Sequence, residues 1–130
     1  MTTFNAIGVA GTGVGVYRKW LDAVSDNIAN IDNVTRTSEN AFQARYVVAQ
    51  EAQDGNGAQV GGIAYGSAEG KLSYEPDNPL ADTEGYVRRP DIDLGSQMAQ
   101  MMMAQRAYQA NLSVVDRARD SYTAAINLGK

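Results

Sequence analysis

Two stripes of apolar residues, one near each end of the chain, constrain the fold more than any other feature of the sequence. In the first stripe, apolar residues recur in alternating steps of three and four, at Ile7, Ala10, Val14, Tyr17, Leu21, Val24, Ile28 and Ile31. This spacing places them on one face, so it predicts an amphipathic α-helix from Phe4 to Ile31. We expect the helix to end at Asn30 and Asn33, because Asn tolerates the left-handed conformation at helix ends.

Four glycines weaken the first half of this predicted helix, at Gly8, Gly11, Gly13 and Gly15. Each costs about 0.5–1 kcal/mol relative to Ala in a helix interior, so the helix needs a packing partner. A phosphate-binding loop is not indicated, since no strand precedes the glycines and no Gly-Lys-Ser/Thr follows them. We interpret Gly11 and Gly15, four residues apart, as positions of close helix packing.

The second stripe begins at Leu94 and also advances in steps of four and three. Its members are Leu94, Met98, Met101, Gln105, Tyr108, Leu112, Val115, Arg119, Tyr122 and Ile126. Polar interruptions of this kind, here Gln105 and Arg119, fix the register of paired helices. Asp91 or Asp93 can cap the helix start, and Gly129 stands where the helix should stop. The run that contains Met98, Met101, Met102 and Met103 predicts an adaptable packing surface.

The residues between the stripes, from Thr35 to Pro90, predict a β-rich region. They hold all three prolines and two strong turn signals, Asp54-Gly55 and Asn56-Gly57, where we expect a hairpin. Short strand-like runs are Ala44–Ala49, Gly62–Tyr65 and Lys71–Tyr74. The sequence thus predicts an α+β fold, with long N- and C-terminal helices that pair as a coiled-coil-like unit and a small β-rich middle domain. The expected boundaries are 1–34, 35–93 and 94–130.

The composition limits the chemistry available to the chain. It has no cysteine and no histidine, which removes thiolate chemistry, the usual zinc ligand sets and the commonest general base. The net charge of −4 and the absence of a basic stripe argue against nucleic acid. We expect no catalytic, cofactor-binding or metal-binding residues. The carboxylates at Asp77, Asp82, Glu84, Asp91 and Asp93 lack the spacing of a calcium loop and are interpreted as loop and cap residues.

Several motifs, in order along the whole chain, resemble those of flagellar basal-body rod and hook proteins. The run from Trp20 to Asn30 is similar to their N-terminal signature, which centres on Asn27-Ile28-Ala29-Asn30. The run from Met103 to Asn111 is similar to their C-terminal counterpart, with its Arg-Ala-Tyr-Gln-Ala-Asn core. Between them, the stretches Tyr74–Asp82, Gly85–Val87 and Pro90–Leu94 resemble the short proximal rod members of the family. The segment 56–70 has no counterpart in this resemblance.

The resemblance implies a structural subunit of the flagellar rod, not an enzyme. Such a subunit polymerises through its terminal helices, transmits torque and lines the export channel. It would be exported by the flagellar type III apparatus without a cleaved signal peptide, into the part of the rod that spans the periplasm. Its expected partners are copies of itself and axial proteins of the FlgB, FlgF, FlgG and FliE types. No small-molecule substrate, nucleic acid or membrane insertion is implied.

The residues expected at the assembly interface lie on the two stripes and in the two terminal motifs. They are Ile7, Val14, Tyr17, Leu21, Val24, Asn27, Ile28, Asn30, Ile31, Met98, Met101, Gln105, Arg106, Tyr108, Asn111, Leu112, Val115 and Tyr122. Asn27 and Asn111 flank their stripes at equivalent positions, and we hypothesise that they hydrogen-bond across helix–helix contacts. Tyr108 ranks first, because it combines large apolar area with a directional hydroxyl. Its alternative role is packing between the two helices.

Two other interpretations remain open at this point. The helices could belong to a soluble assembly chaperone that binds partner helices, or the chain could be another short axial component such as the rod protein FlgB. A chaperone forms a closed complex of fixed stoichiometry, whereas a rod subunit forms open-ended assemblies. The stripes themselves are compatible both with an intramolecular antiparallel pair and with packing between copies.

Overall fold

A long helix lies at each end of the chain in the computed structural model, which describes residues 3–129. Helix α1 spans Thr3–Ala29 and helix α2 spans Leu94–Leu128. Four short strands lie between them: β1 (Arg45–Glu51), β2 (Ala58–Tyr65), β3 (Lys71–Tyr74) and β4 (Tyr86–Arg89). The predicted α+β class is confirmed.

The boundaries of α2 follow from its flanking residues as predicted. The Oδ2 atom of Asp93 accepts a hydrogen bond from the backbone N–H of Ser96 at 2.7 Å, which is the bond of an N-cap. The other candidate cap, Asp91, instead pairs with Lys71 at 3.0 Å. At the far end the helix stops at Leu128, and Gly129 follows it.

The end of α1 differs from the prediction. The helix ends at Ala29, two residues before Ile31, and no residue other than glycine has a positive φ within residues 3–129. The helix therefore stops just before Asn30, and neither Asn30 nor Asn33 uses the left-handed conformation that asparagine tolerates. Asn30 donates both its backbone N–H, at 3.1 Å, and its Nδ2–H, at 2.8 Å, to the carbonyl of Asp26, so its side chain adds a second bond to the last turn of the helix.

The strands form two separate two-stranded sheets. Strands β1 and β2 make the predicted hairpin, whose turn is closed by the N–H of Ala52 on the carbonyl of Gly57 at 3.0 Å. Gly57 has a φ of +114°, which favours glycine at that position. Strands β3 and β4 pair antiparallel, with Tyr74 opposite Tyr86. The run Lys71–Tyr74 was predicted to the residue, whereas β4 and the first four residues of β2 were not.

The described residues divide into two compact units, each of which takes a part of both helices. The first unit holds residues 3–21, 47–62 and 102–129, and the second holds residues 22–46 and 63–101. The apolar core of the second unit includes Val24 and Val87, both almost fully buried. The first unit buries only small or medium side chains, namely Ala10, Val16 and Ala104.

The buried face of α2 is rotated from the predicted stripe. Gln97 and Ala104 are buried, and the half-buried positions Met101, Tyr108, Asn111 and Val115 continue that face. The predicted members Leu94, Met98, Gln105, Leu112, Arg119, Tyr122 and Ile126 are exposed in the single chain. The predicted stripe was chosen for its large apolar side chains. The face of α2 that is buried in this chain instead includes a small side chain, Ala104, and an amide side chain, Gln97.

Candidate assembly surfaces

In the first unit, α1 and α2 are in close contact where a glycine meets an asparagine. A Cβ atom built on Gly13 would lie 2.9 Å from Oδ1 of Asn111, so only glycine fits there without movement of that amide. Nearer the chain ends, the rings of Phe4 and Tyr122 meet edge to face with centroids 4.6 Å apart. Going from Gly13 back to Phe4 on α1 corresponds to going forward from Asn111 to Tyr122 on α2. The two helices therefore run antiparallel in this unit.

Two expectations for this contact need correction. Gly11 and Gly15 have no neighbouring atom within 4 Å of a built Cβ, so the close packing lies at Gly13 instead. Asn111 donates its Nδ2–H to the carbonyl of Ala107 at 3.0 Å, within its own helix. In the single chain Asn111 therefore acts through packing against α1, and its donor does not bridge the helices.

In the second unit a buried amide network joins α1, β1 and α2. Asn27 is 0% exposed and Gln97 is 2% exposed. The Asn27 Nδ2–H group donates to the carbonyl of Arg45 at 2.9 Å and to Oε1 of Gln97 at 3.0 Å, while Asn27 Oδ1 accepts from the Arg45 N–H at 2.8 Å. Asn27 thus hydrogen-bonds to α2 within the chain and also holds the first residue of β1.

Gln97 was missed at the sequence level. The only sequence feature that indicates its burial is its spacing along α2. Gln97 lies three residues before Gln100 and seven before Ala104, so the three residues share one face of the helix. A buried amide needs partners for its polar atoms, and Asn27 supplies one. The pair therefore sets the register of the two helices in this unit.

The predicted interface residues fall into three classes of burial. Val24 and Asn27 are buried within the chain, so they are unavailable to a neighbour. Eleven are half-buried: Ile7, Val14, Tyr17, Leu21, Ile28, Asn30, Ile31, Met101, Tyr108, Asn111 and Val115. Five are exposed: Met98, Gln105, Arg106, Leu112 and Tyr122. All five exposed members of this set therefore lie on α2.

One face of α2 presents large apolar side chains to solvent. Leu94, Met98 and Met102 follow one another at steps of four, and their exposed fractions are 46%, 54% and 54%. The stretch Leu94–Gln105 contains no charged residue. An exposed helix face that is apolar and uncharged is the type of surface that binds other proteins.

A groove of about 440 Å³ lies within the first unit. Its lining comes from α1, β1, the hairpin turn, the first residue of β2, and α2. It comprises Val9, Thr12, Gly13, Val16, Tyr17, Trp20, Val47, Ala49, Gly57, Ala58 and Asn111. None of these side chains is charged. The hydroxyl of Thr12 accepts from the N–H of Ala58 at 3.1 Å, which ties one wall of the groove to the other.

The loop between β3 and β4 is held by two carboxylates, Asp82, which was predicted as a loop or cap residue, and Glu75, which was not. Glu75 accepts from Arg89 Nε at 2.7 Å, and this bond, with a second from Asn78, lowers the pKa of Glu75 to about 2. Asp82 Oδ1 accepts from the N–H of Tyr86 at 2.9 Å, and that backbone bond lowers the pKa of Asp82. Within residues 3–129, no group of three acidic, Cys or His side chains could hold a metal ion.

Neither long helix could cross a bilayer, because within the described residues no helix is both long and apolar enough to do so.

Comparison with known proteins places the chain among flagellar rod proteins. The family model described as "Flagellar basal body rod FlgEFG protein C-terminal" matches residues 83–128, which include β4 and α2. The flagellar basal-body rod protein FlgC of Salmonella typhimurium is 34% identical, and the alignment covers all of both chains. FlgC of Bacillus subtilis is 26% identical over all of both chains, and FlgC of Borreliella burgdorferi is 29% identical over 97% of each. The chain therefore belongs to the FlgC family of flagellar basal-body rod proteins.

Proposed function

We propose that the chain is a structural, non-enzymatic subunit of the flagellar rod that polymerises through α1 and α2, transmits torque and lines the export channel. The observation that carries this proposal is the exposed apolar face of α2, formed by Leu94, Met98, Met102 and Leu112. Complete burial of such a side chain contributes about 1.5–3 kcal/mol, and roughly half of that gain is still unused in the single chain because these side chains are 41–54% exposed. Packing against neighbouring subunits supplies it.

The two segments proposed to assemble are 1–34 and 94–130, with the β-rich region 35–93 outside the helical tube. A filament that grows without closing needs different surfaces on its two sides. The burial classes are compatible with this requirement, because α2 keeps one face for α1 and exposes another. Of the predicted interface residues, we retain the sixteen that the single chain leaves exposed or half-buried.

The proposed neighbours are copies of this chain and axial proteins of the FlgB, FlgF, FlgG and FliE types. The proposed route is export through the flagellar type III apparatus without a cleaved signal, to the part of the rod that crosses the periplasm. A chain without cysteine suits such a route, because it cannot form disulfides in an oxidising compartment.

The test is a density map of the intact basal body from the source bacterium. We expect to trace the chain in the rod, with α1 and α2 lining the tube and the β-rich region outside. If residues 94–130 are removed, we expect rod assembly to stop at the position where this chain would be added. A map in which the chain is absent from the rod, while the purified chain forms a closed complex with rod subunits, would favour the chaperone role and overturn the proposal.

A further inference from the structure

The groove of the first unit has the length and the chemistry of a receptor for a row of helix side chains. It follows α1 from Val9 to Trp20, a distance of about 16 Å at the helical rise per residue. Tyr17 and Trp20 contribute aromatic rings, whose centroids lie 6.0 Å apart. Because the lining carries no charge, a charged guest would lose hydration without gaining a partner. The groove therefore selects an uncharged, apolar guest.

The row Leu94, Met98 and Met102 of α2 meets these requirements. The row is about 12 Å long at the helical rise per residue, so it fits within the groove. No charged side chain interrupts Leu94–Gln105. Methionine adapts its shape to irregular apolar surfaces, which suits a groove with walls from a helix and a hairpin. The start of α1 is also uncharged, but Phe4 is its only large apolar side chain that is exposed, and Phe4 already packs on Tyr122.

The same chain cannot place Met102 in its own groove. Asn111 of α2 lines the groove, and Met102 precedes it by nine residues. Nine residues at about 100° each rotate the side chain to the opposite side of the helix. One side of α2 thus borders the groove, while Met102 points away from it.

We infer that the groove of one subunit binds the row Leu94, Met98 and Met102 from α2 of a second copy of this chain. The inference rests on the proposed rod function and names the surfaces that join successive copies. The row and the groove are different surfaces of the same chain. A copy that uses its row to bind one neighbour therefore still has its groove free to bind another. Such a contact is heterologous and produces an open-ended assembly instead of a closed dimer.

The absence of cysteine allows a direct crosslinking test in assembled rods. Two differently tagged copies, one with Met102→Cys and one with Ala49→Cys in the groove, are expressed together in the source bacterium in place of the native chain. Basal bodies are isolated and oxidised. A disulfide forms only where Cα atoms lie within about 7 Å, so it reports close contact. A second pair, Met98→Cys with Ala58→Cys, covers the possibility that either first variant fails to fold.

The matched control is Val114→Cys with Ala49→Cys. Val114 is also an exposed apolar residue of α2, but it lies about 120° around the helix from Met102. We expect at least about tenfold more mixed disulfide from either test pair than from the control. Rods that contain the chain without this excess overturn the inference and leave the rod function intact. If even the native chain is absent from isolated rods, both the inference and the proposed rod function are overturned.

Discussion

The second unit is held together by specific polar bonds, whereas the part of α2 in the first unit has few buried side chains. In the second unit, amides and carboxylates such as Asn27, Gln97, Glu75 and Asp82 make specific bonds that link helix to strand and strand to loop. In the first unit the last eight described residues of α2, 121–128, are all exposed. A region with few buried contacts has low local stability. The difference indicates that the first unit has the lower local stability and gains more from packing against neighbours.

Of the substitutions considered, Asn27→Leu in the second unit should cause the largest loss of stability. The substitution leaves the buried Gln97 Oε1 atom and the partly buried N–H and carbonyl of Arg45 without their partner. Buried polar groups left unpaired cost about 1–3 kcal/mol each, so we expect a loss of about 3 kcal/mol in the free energy of unfolding. Urea denaturation followed by circular dichroism measures it.

Asn30→Leu is the matched control, because it removes the other asparagine of the same motif. The side-chain bond from Asn30 to Asp26 is solvent-exposed, so we expect a loss of less than about 1 kcal/mol. Equal losses for the two variants would contradict the view that the amide network, and not the motif as a whole, stabilises the second unit.

Gly70→Ala should produce the next largest loss. Gly70 has a φ of +60°, and a Cβ there would lie 2.6 Å from Cβ of Ala41 and would also clash with the backbone carbonyl of Arg89. A residue other than glycine in this conformation costs about 1–3 kcal/mol even before the clash. Thermal unfolding should show a clearly lower midpoint.

Gly62→Ala is the control for that substitution, because no atom lies within 4 Å of a Cβ at Gly62. Glycine weakens a strand interior, so the change should be neutral or slightly stabilising. If Gly70→Ala were equally harmless, the backbone around the β3–β4 sheet would be less closely packed than the structure indicates.

Much of the fold could be predicted because its signals are local. The cap at Asp93, the stop at Gly129 and the hairpin turn near Gly57 each depend on a few adjacent residues. Strand β4 could not be predicted in this way. It is four residues long and ends in Arg88 and Arg89, and its strand conformation is stabilised by pairing with β3 and by the bridge between Thr35 and Arg88.

The candidate site was only partly predictable for a different reason. Periodicity located an apolar row on α2 but could not tell whether that row faces α1 or a neighbour. Which face of α2 packs on α1 depends on the contacts between the two helices. In the first unit Gly13 and Asn111 make that contact, and in the second unit Gln97 makes it with Asn27. The groove depends on the placement of the hairpin beside α1, so no single segment of the sequence indicates it.

A smaller, pH-dependent effect should distinguish the units further. The Arg89 and Asn78 bonds lower the pKa of Glu75 from 4.5 to about 2, so the carboxylate stabilises the fold above pH 4.5. That contribution is lost as the pH falls from 4.5 towards 2, because the protonated form must then be held in a site built for the anion. Glu75→Gln should reduce the urea midpoint at pH 7 and match the native chain near pH 2.

Glu84→Gln serves as the control for that pH series, because it removes a carboxylate from the same loop without touching Arg89. The fall in urea midpoint between pH 4.5 and 2 should persist in this variant. Asp82 also has a lowered pKa, so a smaller fall should remain in Glu75→Gln. A fall in Glu75→Gln as large as in the native chain would mean that the pair of Glu75 with Arg89 does not contribute to the pH dependence.

The smallest expected effect lies in the first unit, at Gly15→Ala. A Cβ at Gly15 meets no atom within 4 Å, so alanine should stabilise α1 by about 0.5–1 kcal/mol through its helix propensity. Amide hydrogen exchange along α1 measures this gain without requiring assembly. Gly13→Ala is the matched comparison, because its Cβ would press on the Asn111 amide at 2.9 Å and offset the same gain in propensity. Equal protection in both variants would mean that α1 and α2 are not in close contact before assembly, and the first unit would then depend on its neighbours even for the pairing of its helices.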